Sequence, residues 1–252
     1  MKNMKKNIVF MTCMEKAPDI LDYKEWCFKS WKLWCEKNDV EMIVLDQELR
    51  DKTVMKPTWQ RWHVFDVLKE NNVNYNQVAL VDVDTMIHLD APNFFDETNG
   101  EFSGVKDDLM VEWVHNSITG YQDMFPNVTF DWTTYFNCGF IVVNKKHKKL
   151  CKSITDFYYS NESELRNRQH KTLRKGSDQT PVNYLVRKGG YKITHLSKKW
   201  NFTHMHQRGV LHEALFLDCA WIYHFNGFDK TMRNDLMRRT WDEMKRIFNI
   251  ED

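Results

Sequence analysis

The stretch Val78-Ala79-Leu80-Val81-Asp82-Val83-Asp84 runs four apolar residues into two carboxylates. A short continuous apolar run fits a strand buried on both faces, as in parallel sheets covered by helices. Strand side chains alternate, so Asp82 and Asp84, two residues apart, share a face. Ligands of open α/β sheets bind outside the carboxyl ends of the strands, which is where this pair falls. Two carboxylates this close repel strongly unless a cation lies between them. Their hard oxygens suit magnesium or manganese. The plain alternative is an exposed acidic turn, because two aspartates separated by one residue are common.

Elements on either side of this run alternate in the same way. Ile8–Met11 is predicted as a first buried strand and Val40–Leu45 as a second. Between them, Trp26, Cys27, Ser30, Trp31, Trp34 and Cys35 recur at helical spacing, which predicts an amphipathic helix over Tyr23–Asn38. A second helix is predicted over Thr58–Glu70, with Trp62, Phe65, Val67 and Leu68 facing inward. Downstream, strands are predicted at Phe102–Val105, Phe136–Val143, Tyr191–Leu196 and Trp221–Phe225, and helices at Gln179–Arg187 and Met232–Phe248. The stop at Lys188-Gly189-Gly190 ends the first of those helices. Helices alternating with apolar strands give an α/β class with a mostly parallel sheet flanked by helices. A length of 252 residues suits one large domain, or at most two small ones.

Composition narrows the function. Thirty-six basic side chains against 35 acidic ones leave a formal charge of +1, which gives no reason to expect a nucleic-acid partner. The six cysteines form no Cys-x-x-Cys pair, so no zinc ribbon or thioredoxin-type site is expected, and they read as reduced core residues. The basic start of the chain runs into a strand too short for a signal-peptide core or a membrane span, so a cytoplasmic protein is expected. The first glycine is Gly100, so the turn after the first strand, Thr12-Cys13-Met14-Glu15, carries neither a dinucleotide fingerprint nor a P-loop. A bound nucleotide would need other groups to neutralise its phosphates.

Four later motifs follow the aspartate pair in order. Tyr135-Phe136-Asn137-Cys138-Gly139 resembles the Phe-Asn-Ser-Gly strand of family 8 retaining glycosyltransferases of the GT-A fold. Ser177-Asp178-Gln179-Thr180-Pro181-Val182-Asn183 resembles that family's Asp-Gln-x-x-x-Asn helix start, and Leu196-Ser197-Lys198-Lys199-Trp200-Asn201 its Leu-Pro-x-x-Trp-Asn segment. His224-Phe225-Asn226-Gly227-Phe228-Asp229-Lys230 is similar to its His-Phe-x-Gly-x-x-Lys signature. The chain departs from the pattern at Cys138, at Pro181 and at Thr231-Met232, where the family has Ser, another residue and Pro-Trp.

The resemblance implies a single Rossmann-like GT-A domain over residues 1–252. Its nucleotide-binding half would run to about 105, its acceptor half from about 106 to 230, and a C-terminal helix over 232–248. It implies transfer of a hexose from a nucleotide-diphosphate sugar, expected to be a UDP-sugar, to a glycan or other acceptor with retention of configuration. Asp82, Asp84 and His224 would ligate the cation. An imidazole beside two carboxylates favours manganese, with magnesium as the second choice. Lys230 would reach the phosphates, Gly227 would let the backbone approach them, and Arg61 would lie over the diphosphate or sugar. Asp107, preferred over Asp108, would grip donor hydroxyls, while Asn137, Asp178 and Gln179 line the donor sugar. Asp178 is also placed to cap the helix that follows. Thr12 and the Thr12–Lys16 turn would take the base, and Trp113–Trp132 and Thr203–Phe216 the acceptor.

Other readings stay open at this point. Asp82-Val83-Asp84-Thr85 fits the Asp-x-Asp-x-Thr nucleophile motif of haloacid-dehalogenase-type phosphatases, although two βα elements precede it here and the fold usually places it on the first strand. A nucleotidyltransferase would need a glycine-rich basic loop after the first strand, which this chain lacks. A non-catalytic sugar-nucleotide-binding relative would be expected to have lost metal ligands.

Overall fold

The computed structural model describes residues 5–14, 22–107, 110–169, 177–211 and 214–251. Of the positions singled out above, Glu15, Lys16 and Asp108 lie outside these, as do positions 212 and 213 of the Thr203–Phe216 segment. Strands β1 (Lys6–Thr12), β2 (Glu41–Leu45), β3 (Tyr75–Val81), β5 (Phe102–Lys106), β6 (Phe136–Asn144) and β7 (Ile193–Leu196) form one sheet in the order β2-β1-β3-β6-β5-β7. Strand β6 is antiparallel to both its neighbours; the other pairings, β1 with β2 and β3, and β5 with β7, are parallel. A two-stranded ladder of β4 (Thr85–Ile87) and β8 (Ile222–His224) stands beside the sheet. The sequence reading did not include β4.

Alternation along the strands divides the core into two layers. Val9, Met11, Ala79, Val81 and Val142 face one side, and Ile8, Phe10, Val78, Leu80 and Val143 the other. The first side is covered by helix α1 (Lys29–Lys37), with the π-helical turn Tyr23–Phe28 before it, and by the C-terminal helix α6 (Lys230–Phe248). There Trp34 stacks on Phe94 with centroids 5.0 Å apart, and Trp31 meets Trp34 edge-on. The second side is covered by α2 (Val64–Glu70), α4 (Lys148–Asn167) and α5 (Gln179–Lys188). Helix α3 (Val111–Tyr121) packs by Val114 and Tyr121. Burying each large apolar side chain contributes on the order of 1.5–3 kcal/mol, so the buried Trp31 and Trp34 stabilise their layer.

Three expectations change. The helix expected over Thr58–Glu70 is Pro57–Gln60, a 3₁₀ turn at Arg61–His63, and then α2; the tighter turn brings Arg61 and Trp62 inward together. The C-terminal helix begins at Lys230 rather than Met232, because Asp229 caps it by accepting from the Met232 N–H at 3.1 Å. All six cysteines are free and five are buried, but Cys219 is exposed at the end of the helical turn Phe216–Cys219.

Candidate active site at the carboxyl edge of the sheet

The antiparallel setting of β6 explains why the site forms. Strands β3 and β5 end at one edge of the sheet, and β6, running the other way, begins there. The residues after Val81, the residues after Lys106 and the segment Asn137-Cys138-Gly139 therefore meet. The β5–β6 register jumps from Gly104↔Ile141 to Val105↔Asn137, so Cys138, Gly139 and Phe140 are skipped by that ladder. Side chains satisfy backbone groups of the skipped segment. Cys138 N–H donates to Gln179 Oε1 at 3.1 Å, Gly139 N–H to Asn137 Oδ1 at 2.7 Å, and Cys138 C=O accepts from Arg61 Nη1 at 2.8 Å.

Asp82 and Asp84 lie beyond β3, in the turn leading to β4, so the shared strand face predicted for them is not what brings them together. The turn is fixed at several points. Asp82 N–H donates to Gly139 C=O at 2.9 Å, Phe225 N–H donates to Asp84 C=O at 2.9 Å, and Thr85 pairs with His224 across the β4–β8 ladder. The buried Thr85 hydroxyl donates to Asp82 C=O at 2.7 Å and accepts from Trp31 Nε1 at 3.1 Å. His224 Nε2 consequently stands 3.3 Å from Asp84 Oδ1 and 3.7 Å from Asp82 Oδ2.

Among the described residues Asp82, Asp84 and His224 are the group able to hold a metal ion, with one ligand atom from each lying within 4.8 Å of the others. Two carboxylates and an imidazole fit a divalent cation of the manganese type. The second imidazole nitrogen is also fixed. His224 Nδ1 lies 2.9 Å from Asn201 Oδ1, and Asn201 Nδ2 donates to Asn137 Oδ1 at 2.9 Å. An outer hydrogen bond of this kind sets the ring orientation of a metal-ligating histidine. Gly139 makes room for the ring, since a Cβ there would come within 2.3 Å of His224 Cε1.

Protein charges also face the carboxylate pair. Arg61 Nη1 is 2.7 Å from Asp82 Oδ1, and Arg233 Nη1 is 3.7 Å from Asp84 Oδ2. Burial works to raise the Asp84 carboxyl, but His224 and Arg233 outweigh it and hold it below the usual range. Burial likewise opposes the charge on His224, and the carboxylates of Asp84, Asp82 and Asp107 overcome it, so its pKa is raised. Arg61 is only 5% exposed and also faces Asp178, whose Oδ2 is 3.4 Å from Arg61 Nε. Asp178 occupies the N-cap position of α5 but makes no side-chain cap; it accepts from Trp62 Nε1 at 2.7 Å instead. Burial raises its pKa despite Arg61 and Trp62.

Asp107 follows β5, and both Asn137 Nδ2 at 3.1 Å and Gln179 Nε2 at 2.8 Å donate to its Oδ2. Beside the carboxylate pair lies an open cleft of ≈ 380 Å³ whose lining includes Thr12, Tyr23, Arg61, Asp82 and Asp84. The Thr12 hydroxyl is buried without a hydrogen-bond partner among the described residues. Gly227 has φ +77, in the left-handed region that favours glycine, and its turn is packed by His206 stacked on Phe228 at 3.8 Å. Lys230 is the exposed first residue of α6.

Sequence reasoning missed Asn201 and Arg233 as site residues. Asn201 lay in a quoted motif, and a polar residue that the fold buries is its signal. Arg233 follows Lys230 by three residues, on the same face of a helix.

By sequence, no family model and no curated protein matches the chain. By structure it is similar to a glycosyltransferase involved in the glycosylation of the major capsid of PBCV-1, with TM-score 0.61 and 10% identity over 93% of this chain and 99% of that one. It is also similar to the galactosyltransferase LgtC in complex with donor and acceptor sugar analogues, with TM-score 0.53 and 12% identity over 94% and 99%. A third similar structure is the bifunctional glycosyltransferase WbbM, with TM-score 0.55 and 14% identity over 98% of this chain and 52% of that one. Identities this low establish a shared architecture, and this chain has the GT-A fold of those glycosyltransferases.

Proposed function

We propose that the chain is a metal-dependent hexosyltransferase that takes its sugar from a nucleotide-diphosphate donor, a UDP-sugar first among them, and passes it to a carbohydrate or glycoconjugate acceptor. The observation that carries this reading is the convergence of Asp82, Asp84 and His224 beside a cleft at the carboxyl edge of a GT-A sheet. A manganese ion held there would stabilise negative charge on the departing nucleoside diphosphate, and magnesium is the alternative ion. Lys230 adds a positive charge for the phosphates, and Gly227 lets the loop backbone come near them. Thr12, whose buried hydroxyl has no hydrogen-bond partner among the described residues, is assigned to the nucleoside side of the cleft.

Asp107 is assigned to donor hydroxyls, with Asn137 and Gln179 orienting it through one carboxylate oxygen. Gln179 and Asn137 also line the sugar, next to the reacting carbon. Asp178 is tied through the buried Arg61 to the metal ligand Asp82, so sugar and diphosphate positions are set by one ion-pair chain. The resemblance to family 8 supports retention of configuration. No helix among the described residues is long and apolar enough to cross a membrane.

The test is to incubate the protein with a panel of nucleotide sugars and manganese and to measure release of nucleoside diphosphate. Release that stops on chelation and with Asp84→Ala is the expected result. Inorganic phosphate from a phosphoester, with no diphosphate from any donor, would favour the phosphatase reading and overturn this one. An NMR time course of the product anomer tests retention.

A further inference from the structure

Arg233 projects from the first turns of α6 toward the metal ligands, and the reading above gives it no role. Its Nη1 is 3.7 Å from Asp84 Oδ2, and its guanidinium carbon lies 5.3 Å from the centroid of the Tyr23 ring. Asp84 and Tyr23 both line the cleft. The side chain is 23% exposed, and its Nε is buried with no hydrogen-bond partner among the described residues. A buried N–H left unpaired is costly, which marks this guanidinium as incompletely satisfied.

We infer that Arg233 is a diphosphate-binding residue that Asp84 holds in place until the cation and nucleotide arrive. This rests on the donor reading above. The guanidinium supplies part of the positive charge that faces the Asp84 carboxylate. A cation held by Asp82, Asp84 and His224 would take over that role and repel the guanidinium. The face of the Tyr23 ring attracts the guanidinium, but a ring face is not an oxygen acceptor for its N–H groups. The oxygens of a metal-bound diphosphate do, and the planar fork of arginine matches them. Lys230, three residues earlier on the same helix face, would then bring a second charge to the same group.

The arrangement has a consequence with two signs. Removing Arg233 frees an Asp84 oxygen and removes a like charge from beside the cation, so manganese alone should bind more tightly. The same change removes a phosphate ligand, so a diphosphate with manganese should bind about tenfold more weakly. A residue that merely braced the turn would lower both affinities.

The experiment is calorimetric titration of wild type, Arg233→Ala and Arg233→Lys with manganese alone, then with UDP, GDP and inorganic pyrophosphate in the presence of manganese. The expected result is tighter manganese binding and weaker diphosphate binding in Arg233→Ala, with Arg233→Lys intermediate because it keeps the charge and loses the fork. Parallel weakening of both ligands, or no change in either, overturns the inference while leaving the donor reading intact. Failure of wild type to bind any diphosphate overturns the donor reading, and this inference with it.

Discussion

Replacing Gly139 by alanine isolates one geometric requirement of the site. Among the described residues the glycines with positive φ are Gly100, Gly190 and Gly227; Gly139 is not one of them, so an alanine brings no backbone strain. Its Cβ would stand 2.3 Å from His224 Cε1, 2.8 Å from Nδ1 and 2.9 Å from Asn137 Oδ1, where ordinary contact begins at 3.4 Å. The imidazole must therefore retreat by about 1 Å within a close-packed interior. Retreat breaks the 2.9 Å contact of Nδ1 with Asn201 and carries Nε2 away from the carboxylates. Overpacking of this kind costs about 1–3 kcal/mol. Each kcal/mol lowers the melting temperature of a chain this size by roughly 2–4 °C. Displacing a metal ligand from its outer hydrogen bond weakens metal affinity about 10–100-fold. Thermal melting of the metal-free protein and calorimetric titration with manganese read the two effects separately. Unchanged melting together with unchanged manganese affinity would refute the claim that the missing side chain at 139 seats His224.

Asp82→Ala should abolish donor turnover, and it should also lower the melting temperature by the equivalent of about 1–3 kcal/mol. Carboxylate crowding alone would predict a gain, but Arg61 is buried against Asp82, and removing the aspartate leaves that guanidinium with Asp178 as its remaining carboxylate; a melting temperature at or above wild type would contradict the pairing described here. Lys230→Ala should weaken UDP binding in the presence of manganese by about 1–3 kcal/mol, and equal affinity in calorimetry would reduce Gly227 to Met232 to an ordinary surface turn. His147 provides a pH test away from the site: burial pushes its pKa from 6.5 down to about 4, and its Nδ1 accepts from the Asn144 N–H at 3.0 Å. Between those values the unfolded chain binds the extra proton, so stability present above pH 6.5 is lost as pH falls toward about 4, by at most about 3 kcal/mol. Melting curves of wild type and His147→Gln across that range should differ in slope, and identical slopes would remove His147 as the cause.

The sequence alone was enough for the layers and for naming the Asp82, Asp84 and His224 that the fold brings together. Apolar runs such as Val78–Val81 report burial on both faces directly, and the tryptophans and cysteines of α1 recur at the helical period. Both are local signals that neighbouring residues carry by themselves. The order of the motifs from Asp82 to Lys230 likewise survived without knowledge of contacts. What the sequence could not carry is how those motifs meet. The aspartates converge through a turn clamped by Gly139 and Phe225 rather than through a strand face. The direction of β6 and its register jump bring Asn137 beside Asp107 and Gly139 beside Asp82, and pairing direction is a property of two segments that no single one encodes. The charge balance is tertiary in the same sense. The resemblance set Arg61 over the diphosphate or sugar without naming its carboxylate partners, and Arg233 reads as one of many basic residues on α6, yet each faces a carboxylate that lies far from it along the chain. Attraction between charges acts through space, and only the folded chain decides which ones are near enough for it to matter.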